Sequence, residues 1–296
     1  MKTLSWLIRR ELWENKAIWA MPLIVGALLL LAATFGDIDL GPAASLMPPD
    51  QPRVCGALVL FGFDVALFFV MTLYSIWYLL DCLYVDRKDR SVLFWRALPV
   101  SDTQAVLSKL ATALIVIPLV SFAAADVTTL GMALAITLRG KGASDVLWQS
   151  QNWLQLQVLW VYLMATMAIW YLPIAGWLLA ISAWARRSVL LWAVMPLLVP
   201  YLIERWLLRT HAIGQLIVGR LSGFVSHAFH NNADEAFSLA TVIDKEDTPA
   251  VAAARTAWDL IDAAGFFLNP ATWAGVAVGI VLIAVAIELR RRRADA

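Results

Sequence analysis

Two aspartates lie inside long apolar stretches of this sequence, where a carboxylate is costly and therefore informative. Asp64 and Asp126 are each surrounded by apolar residues, and an unpaired charge at the centre of a bilayer costs about 2.5 to 3.5 kcal/mol on insertion scales. Such a carboxylate can contact a cationic substrate, exchange protons, or serve as structural polar packing. Because no basic residue is evident at the same depth, we expect its partners to be serine, threonine or tyrosine hydroxyls on neighbouring segments.

Three histidines lie in one polar stretch near the C-terminal third of the chain. His227 and His230 have a spacing of three, and Asp234 and Glu235 follow closely, so a metal site is conceivable. A His-x-x-His pair without an assigned third ligand is more typical of a solvated or interfacial helix face. The sequence therefore predicts no metal site.

Motifs for catalysis within the chain are missing. Gly140-Lys141 resembles the end of a phosphate-binding loop, but Ala135 and Gly142 stand where that motif needs a glycine and a hydroxyl. There is neither a His-Glu-x-x-His pair nor a Gly-x-Ser-x-Gly elbow. We therefore predict no catalytic residues, no bound cofactor and no enzymatic activity in this chain. An intramembrane enzyme remains the less favoured alternative, beside a membrane scaffold or sensor without transport.

The elements that position these residues are membrane spans. Hydrophobic residues make up 61% of the 296 positions and charged residues 15%, with a mean hydropathy of +0.73, which is typical of a polytopic membrane protein and not of a nucleic-acid-binding one. We predict an all-α protein with one transmembrane domain over 1–296. Six segments approach the length of about 20 residues that a span needs: 17–36, 57–80, 110–137, 154–183, 188–204 and 270–289.

Proline and glycine mark special points within these spans. Pro118 and Pro173 can kink the third and fourth spans, because a proline removes a helical hydrogen bond. Gly275 and Gly279 form a small-xxx-small pattern in the last span, which permits close helix approach, either within the chain or in a homodimer.

The distribution of basic residues predicts the orientation. Most of the 23 lysines and arginines lie at the two termini and in the connections after the second and fourth spans. Basic residues are retained on the cytoplasmic side during insertion, so we expect a multi-pass protein of the inner (plasma) membrane with both termini in the cytoplasm. The run of four arginines at 290–293 is interpreted as a topology anchor after the last span.

Two segments outside the spans are predicted to be helical. Residues 1–17 have an apolar face interrupted by Glu11, with tryptophans suited to the headgroup layer, and predict an interfacial helix. Residues 205–269 contain two stretches with helical apolar spacing and predict an extracytoplasmic helical hairpin on or in the outer leaflet, between the fifth and sixth spans.

The cytoplasmic connection DRKDRSVLFWRALPVSDTQAVLSKL, at 86–110, packs charges and a turn between two apolar runs. Residues 86–98 can form one helix, Pro99 ends it, and Ser101 or Asp102 can cap the next. The composition permits a rigid element that couples the spans to a soluble partner, or an ordinary solvated hairpin.

This connection resembles that of the permease subunits of type-2 ABC transporters, in which a charged helix, a leucine-rich patch and Pro-Val-Ser precede a helix that leads to a lysine. A basic, tryptophan-bearing segment before the first span, a long stretch between spans five and six, and Asn269-Pro270 at the last span agree with the same family. The glycine that the family usually carries in the charged helix is missing here.

The resemblance implies a fold of six spans with a cytoplasmic coupling helix in residues 84–105, and a role in export by alternating access. It implies an ATPase subunit in two copies, which would bind ATP and magnesium, and a second permease copy as homodimer partner. In such a complex Glu11 and Glu14 are candidates to face the ATPase. The residues that would couple to the ATPase are Asp86, Arg87, Lys88, Arg90, Trp95, Pro99, Val100 and Ser101; Asp64 and Asp126 would be candidates for the translocation path.

Overall fold

The computed structural model describes residues 2–35, 52–88, 100–138, 150–229 and 261–293. Within these residues the chain is helical, and a single isolated antiparallel bridge joins Phe229 to Ile261. The helices are α1 (Lys2–Glu14), α2 (Ala17–Phe35), α3 (Pro52–Lys88), α4 (Asp102–Ala111), α5 (Ile117–Leu138), α6 (Ser150–Trp170), α7 (Leu172–Trp184), α8 (Val189–Ile203), α9 (Ala212–Ser222), α10 (Phe224–Ala228), α11 (Ala263–Leu268) and α12 (Pro270–Arg293).

Four stretches of the described helices are long and apolar enough to cross a membrane: Asp64–Lys88, Asp102–Ala135, Val189–Leu207 and Pro270–Arg292. Two further pairs pass the same test only together, because each is bent: Leu4–Glu14 with Ala17–Ala32 by 54°, and Gln157–Trp170 with Leu172–Trp184 by 53°. The number of candidate spans is therefore four, or up to six if each bent pair is one span. The predicted all-α membrane protein is confirmed at this level.

The two prolines act differently on their helices. Pro173 lies near the start of α7, just after the break at Tyr171. A proline there has no N–H to donate to the preceding turn, and its ring collides with the carbonyl group four residues earlier. Pro118 follows the π-helical turn Thr112–Val116, which connects α4 to α5 without a sharp bend. The predicted kink is therefore present at Pro173, whereas the wider turn accommodates Pro118.

The core lies between α3, the α4–α5 pair, α7 and α12. Fully buried apolar side chains from several helices meet there: Ile18, Leu67, Met71, Val106, Ile117 and Leu179. α7 and α12 approach closely because both carry a glycine at the contact: a Cβ on Gly176 would lie 2.9 Å from the carbonyl oxygen of Gly279. The small-xxx-small pattern thus packs within the chain, which is one of the two alternatives that the sequence left open.

One end of the bundle carries α1, the end of α3, the start of α4 and the end of α12; we call it the basal end. Hydrogen bonds join Glu11 to Lys109 and Asp86 to Arg290 there. Both described ends of the chain therefore lie on the same side of the bundle.

Candidate functional site

The basal end holds five charged side chains from four separate segments, which we call the basal charge cluster. Its members are Glu11 of α1, Asp86 of α3, Asp102 and Lys109 of α4, and Arg290 of α12. They line a small cleft. The cluster holds three acidic and two basic groups, and it joins segments that are distant in sequence.

Lys109 is the centre of one half of the cluster. Its ammonium nitrogen lies 3.0 Å from a Glu11 carboxylate oxygen and 3.4 Å from an Asp86 carboxylate oxygen, and its side chain is 5% exposed. Removing this cation would take away the ion-pair partner of the buried Glu11 carboxylate and one of the two cations beside Asp86, which is destabilising. Lys109 therefore ties the N-terminal helix to the end of α3.

Arg290 is the centre of the other half. Its guanidinium reaches Asp86 at 3.3 Å and Asp102 at 3.1 Å, and its side chain is 8% exposed. By contrast, Arg291 and Arg292 are exposed and pair with Glu288 of the same helix. The first arginine of the predicted topology anchor is thus a buried structural residue, which its position in a run of four could not indicate.

Glu11 interrupts the apolar face of α1 in the sequence, and the structure explains how this is tolerated. The Glu11 side chain is almost fully buried, and besides Lys109 it accepts a hydrogen bond of 2.7 Å from the Tyr78 hydroxyl. The hypothesis that Glu11 faces an ATPase is therefore wrong, since its carboxylate is held inside the chain. Glu14 is exposed and pairs with Arg10 at 2.6 Å.

The start of α4 is set by a capping box. The Ser101 hydroxyl accepts a hydrogen bond from the Gln104 amide at 3.2 Å, and the Gln104 side chain accepts one from the Ser101 amide at 3.4 Å. This pairing satisfies amide donors at the helix start. Of the two predicted caps, Ser101 is the one used, which leaves the Asp102 carboxylate to bind Arg290.

Arg87 lies beside the cluster but points to another helix. Its guanidinium donates to the carbonyls of Ser182 at 2.6 Å and Ala185 at 2.8 Å, and so satisfies carbonyl groups at the end of α7. In the same region, the Ser182 hydroxyl accepts hydrogen bonds from the amides of Leu83 and Tyr84. The end of α3 is therefore fixed to the end of α7 as well as to the cluster.

The other predicted coupling residues differ in where they lie. Lys88 is exposed at the end of α3, and Val100 is partly buried beside the cleft. Arg90, Trp95 and Pro99 lie outside the described residues. The structure thus brings Asp86 and Val100 to one cleft, and it adds four charged residues that were not among the predicted coupling residues: Glu11, Asp102, Lys109 and Arg290.

No protein-family model, curated protein or solved structure matches this chain. The resemblance to type-2 ABC permeases therefore remains an expectation from the sequence alone.

The two intramembrane aspartates both have polar partners on neighbouring helices. Asp64 of α3 is buried and accepts a 2.5 Å hydrogen bond from the Thr129 hydroxyl of α5, as predicted. Asp126 of α5 accepts a 2.7 Å hydrogen bond from the Gln157 amide of α6. Its partner is thus an amide and not the predicted hydroxyl. These bonds connect α3, α5 and α6 through carboxylates.

A second polar contact lies halfway along the bent α6–α7 pair. The Arg220 guanidinium donates to the Trp170 carbonyl at 2.6 Å and to the Ala271 carbonyl at 3.1 Å, and it lies 4.2 Å from the centre of a Trp170 ring. In return, the Trp170 indole donates to the Arg220 carbonyl at 2.9 Å. Arg220 thus holds α9 against the break before α7.

Only some of the remaining candidates from the sequence lie within the described residues. His227 contacts the Asn269 side-chain amide at 2.9 Å and packs against the Trp170 ring. His230, Asp234 and the Gly140-Lys141 pair lie outside the described residues. Among the residues that are described, no group of three potential ligands is placed to hold a metal ion.

Proposed function

We propose that this chain is the membrane-spanning permease subunit of an ATP-binding cassette transporter, acting as an exporter by alternating access. Its six spans would comprise the four long helices, α2 and the bent α6–α7 pair, with α1 lying in the headgroup layer at the basal end. Both termini would lie in the cytoplasm, and two copies of the chain would work with two ATPase subunits. ATP and magnesium would bind to the ATPase, and this chain would hydrolyse nothing itself.

The observation that carries this proposal is the basal charge cluster. An element that transmits motion from an ATPase to membrane helices must be rigid, and it must be bonded to the helices that it moves. The start of α4 meets both conditions: Ser101 caps it, Asp102 joins it to α12, and Lys109 joins it to α1 and α3. Motion applied at residues 86–104 would therefore reach four helices together.

The burial of the charges favours a rigid connection between helices and not a set of exposed surface ion pairs. Exposed ion pairs contribute at most about 1 kcal/mol and exchange easily with water. The side chains of Glu11, Lys109 and Arg290 are at most 8% exposed, so separating any pair would leave a buried charge. The cluster is therefore expected to move as one unit.

The intramembrane carboxylates supply a candidate path. Asp64 and Asp126 belong to α3 and α5, and α4 leads directly into α5 from the basal end. Movement of α4 would thus be transmitted to α5, which carries Asp126. The coupling region and the candidate path are thus joined through α4 and α5, which follow each other directly in the chain.

Site-specific photo-crosslinking in native membranes tests the proposal. A photoreactive residue replacing Lys88, which is exposed at the basal end, is expected to capture an ATPase with a phosphate-binding loop, identified by mass spectrometry. The matched control replaces Trp206, which is 82% exposed next to α8, and should capture none. Capture of no ATPase at Lys88, from a complex that is otherwise intact, would favour a scaffold or sensor.

A second experiment separates coupling from docking. Changing Pro99→Gly together with Val100→Gly should loosen the turn before α4, so that the complex still forms and hydrolyses ATP but no longer moves substrate. Lys88→Glu should instead weaken association in a salt-dependent way, because exposed charges act on association and are screened. Normal transport by the double-glycine variant at normal expression would contradict the coupling role.

A further inference from the structure

Helix α1 has one face that is fixed to the bundle. Leu7 is 7% exposed and Glu11 is 2% exposed, and Glu11 binds both Lys109 and Tyr78. These bonds leave α1 little freedom to rotate about its axis. Whatever lies on the opposite face therefore points away from the bundle.

The opposite face carries two tryptophans with an arginine between them. Trp6 and Trp13 are 63% and 66% exposed, and Arg9 is exposed as well. The spacings of three and four residues place Arg9 on the same side of the helix as both rings. We call this surface the Trp6–Arg9–Trp13 face.

The guanidinium of Arg9 lies against both rings. Its central carbon is 5.6 Å from the centre of a Trp6 ring and 5.2 Å from that of a Trp13 ring, within the range of cation–π attraction. Among the described residues, Arg9 has neither a hydrogen bond nor an ion pair, whereas the neighbouring Arg10 donates to Glu14. The N–H groups of Arg9 are therefore held in position and available to an external acceptor.

The position of α1 indicates what that acceptor is. α1 precedes the apolar helix α2 and is bent from it by 54°, so it leaves the axis of that helix at one end of the bundle. Tryptophan favours the membrane–water interface, where its ring is apolar and its N–H meets polar groups. A guanidinium at that depth meets lipid phosphate, which it binds through two parallel hydrogen bonds.

We propose that the Trp6–Arg9–Trp13 face is a binding site for the phosphate of an anionic phospholipid in the leaflet at the basal end. The two indoles enter the headgroup layer and hold the guanidinium flat between them, with its donors directed at the phosphate. The net negative charge of the lipid adds to the attraction, as it does for basic residues near an anionic surface. The site uses the side of α1 that the basal charge cluster does not, so its test needs no ATPase.

The test uses the full chain in nanodiscs of equal parts phosphatidylglycerol and phosphatidylcholine. Native mass spectrometry gives the ratio of the two lipids that remain bound to the protein. We expect phosphatidylglycerol to be enriched, and Arg9→Gln to reduce the enrichment about fivefold. The matched control is Lys16→Gln, which removes the same charge from an exposed position in the turn between α1 and α2, outside the cation–π contacts of Arg9, and should leave most of the enrichment.

Two further variants test the geometry of the site. Arg9→Lys keeps the charge but loses the planar fork, so we expect an intermediate enrichment. Trp6→Leu with Trp13→Leu keeps the apolar character but removes the rings, and should lower the enrichment although Arg9 is present. Thermal stability should be unchanged in Arg9→Gln, because its guanidinium forms no hydrogen bond or ion pair with the described part of the chain.

Three results would overturn the proposal. Equal losses from Arg9→Gln and Lys16→Gln would mean that only the total charge matters. Unchanged lipid ratios in Arg9→Gln would remove the site altogether. Unchanged lipid ratios together with loss of a bound protein would assign the Trp6–Arg9–Trp13 face to protein contact.

Discussion

The ammonium nitrogen of Lys109 lies 3.0 Å from a carboxylate oxygen of Glu11, although 98 residues separate them in the chain. This buried pair joins the N-terminal helix to α4, the helix with which the 86–110 connection ends. It also explains why an acidic residue can lie on the apolar face of α1. Removing either partner should therefore affect the whole basal end.

A double-mutant cycle on this pair is expected to show strong coupling. Glu11→Gln and Lys109→Met should each lower the free energy of unfolding by about 3 kcal/mol, because each removes one partner of a buried ion pair. The double variant should lose at least about 1 kcal/mol less than the sum. Reversible unfolding in mixed micelles measures this, with the exposed Glu14→Gln as a control expected to change little. Additive losses would show that the two charges act separately.

Within the run of four arginines at 290–293, we expect Arg290 to stabilise the fold and the exposed Arg291 and Arg292 to contribute little. Arg290→Gln removes the cation between Asp86 and Asp102 and should destabilise the protein by about 3 kcal/mol. Arg291→Gln removes an equal charge one residue later, from a side chain that is 65% exposed, and should cost less than about 1 kcal/mol. Equal melting temperatures of the two variants would contradict the role of Arg290.

Asp126 is predicted to matter for transport more than for folding. Asp126→Asn keeps an oxygen that can accept the hydrogen bond from Gln157, so the complex should assemble and melt normally. Transport, or stimulation of ATP hydrolysis by substrate, should change because the carboxylate is gone. Glu288→Gln removes an exposed carboxylate at the basal end and serves as the control. Unchanged activity and unchanged pH dependence in Asp126→Asn would make the residue structural packing.

Two glycine substitutions test how Arg220 is held. A Cβ on Gly275 would collide with the Arg220 guanidinium, whereas a Cβ on Gly219 would meet no atom within 4 Å. Gly275→Ala should therefore displace Arg220 from Trp170 and destabilise the protein by about 1 to 3 kcal/mol. Gly219→Ala should be neutral or stabilising by up to about 1 kcal/mol, since alanine is the better helix former. Comparison of the two melting temperatures checks the contact.

The orientation can be measured with single cysteines in a background of Cys55→Ala and Cys82→Ala. A membrane-impermeant thiol reagent added to intact cells should label Asp244→Cys. The same reagent should label Asp89→Cys and Asp295→Cys only after permeabilisation, because basic residues keep those regions in the cytoplasm. Labelling of Asp89→Cys in sealed cells would reverse the topology.

Local features of the structure were predictable from the sequence because they depend on neighbouring residues. Ser101 followed by Gln104 has the pattern of a capping box, and both side chains make the expected bonds. The proline at 173 marks the break in span four, since proline cannot form the helical hydrogen bond there. A buried threonine hydroxyl as the partner of Asp64 follows from the cost of an unpaired carboxylate in an apolar run.

The sequence by itself determined the class of the protein, the approximate position of its apolar helices, a helix start at Ser101 or Asp102 and the break at Pro173, because each depends on composition or on residues within one or two turns. Only the tertiary structure decided which charges are buried. Glu11 and Glu14, Arg87 and Lys88, and Arg290 and Arg291 have similar chemistry in the sequence. One member of each pair nevertheless points into the bundle and the other points outward. The physical reason is that a helix turns about 100° per residue, so nearby residues point in different directions. Which of them is buried against an opposite charge depends on where a helix distant in the sequence packs.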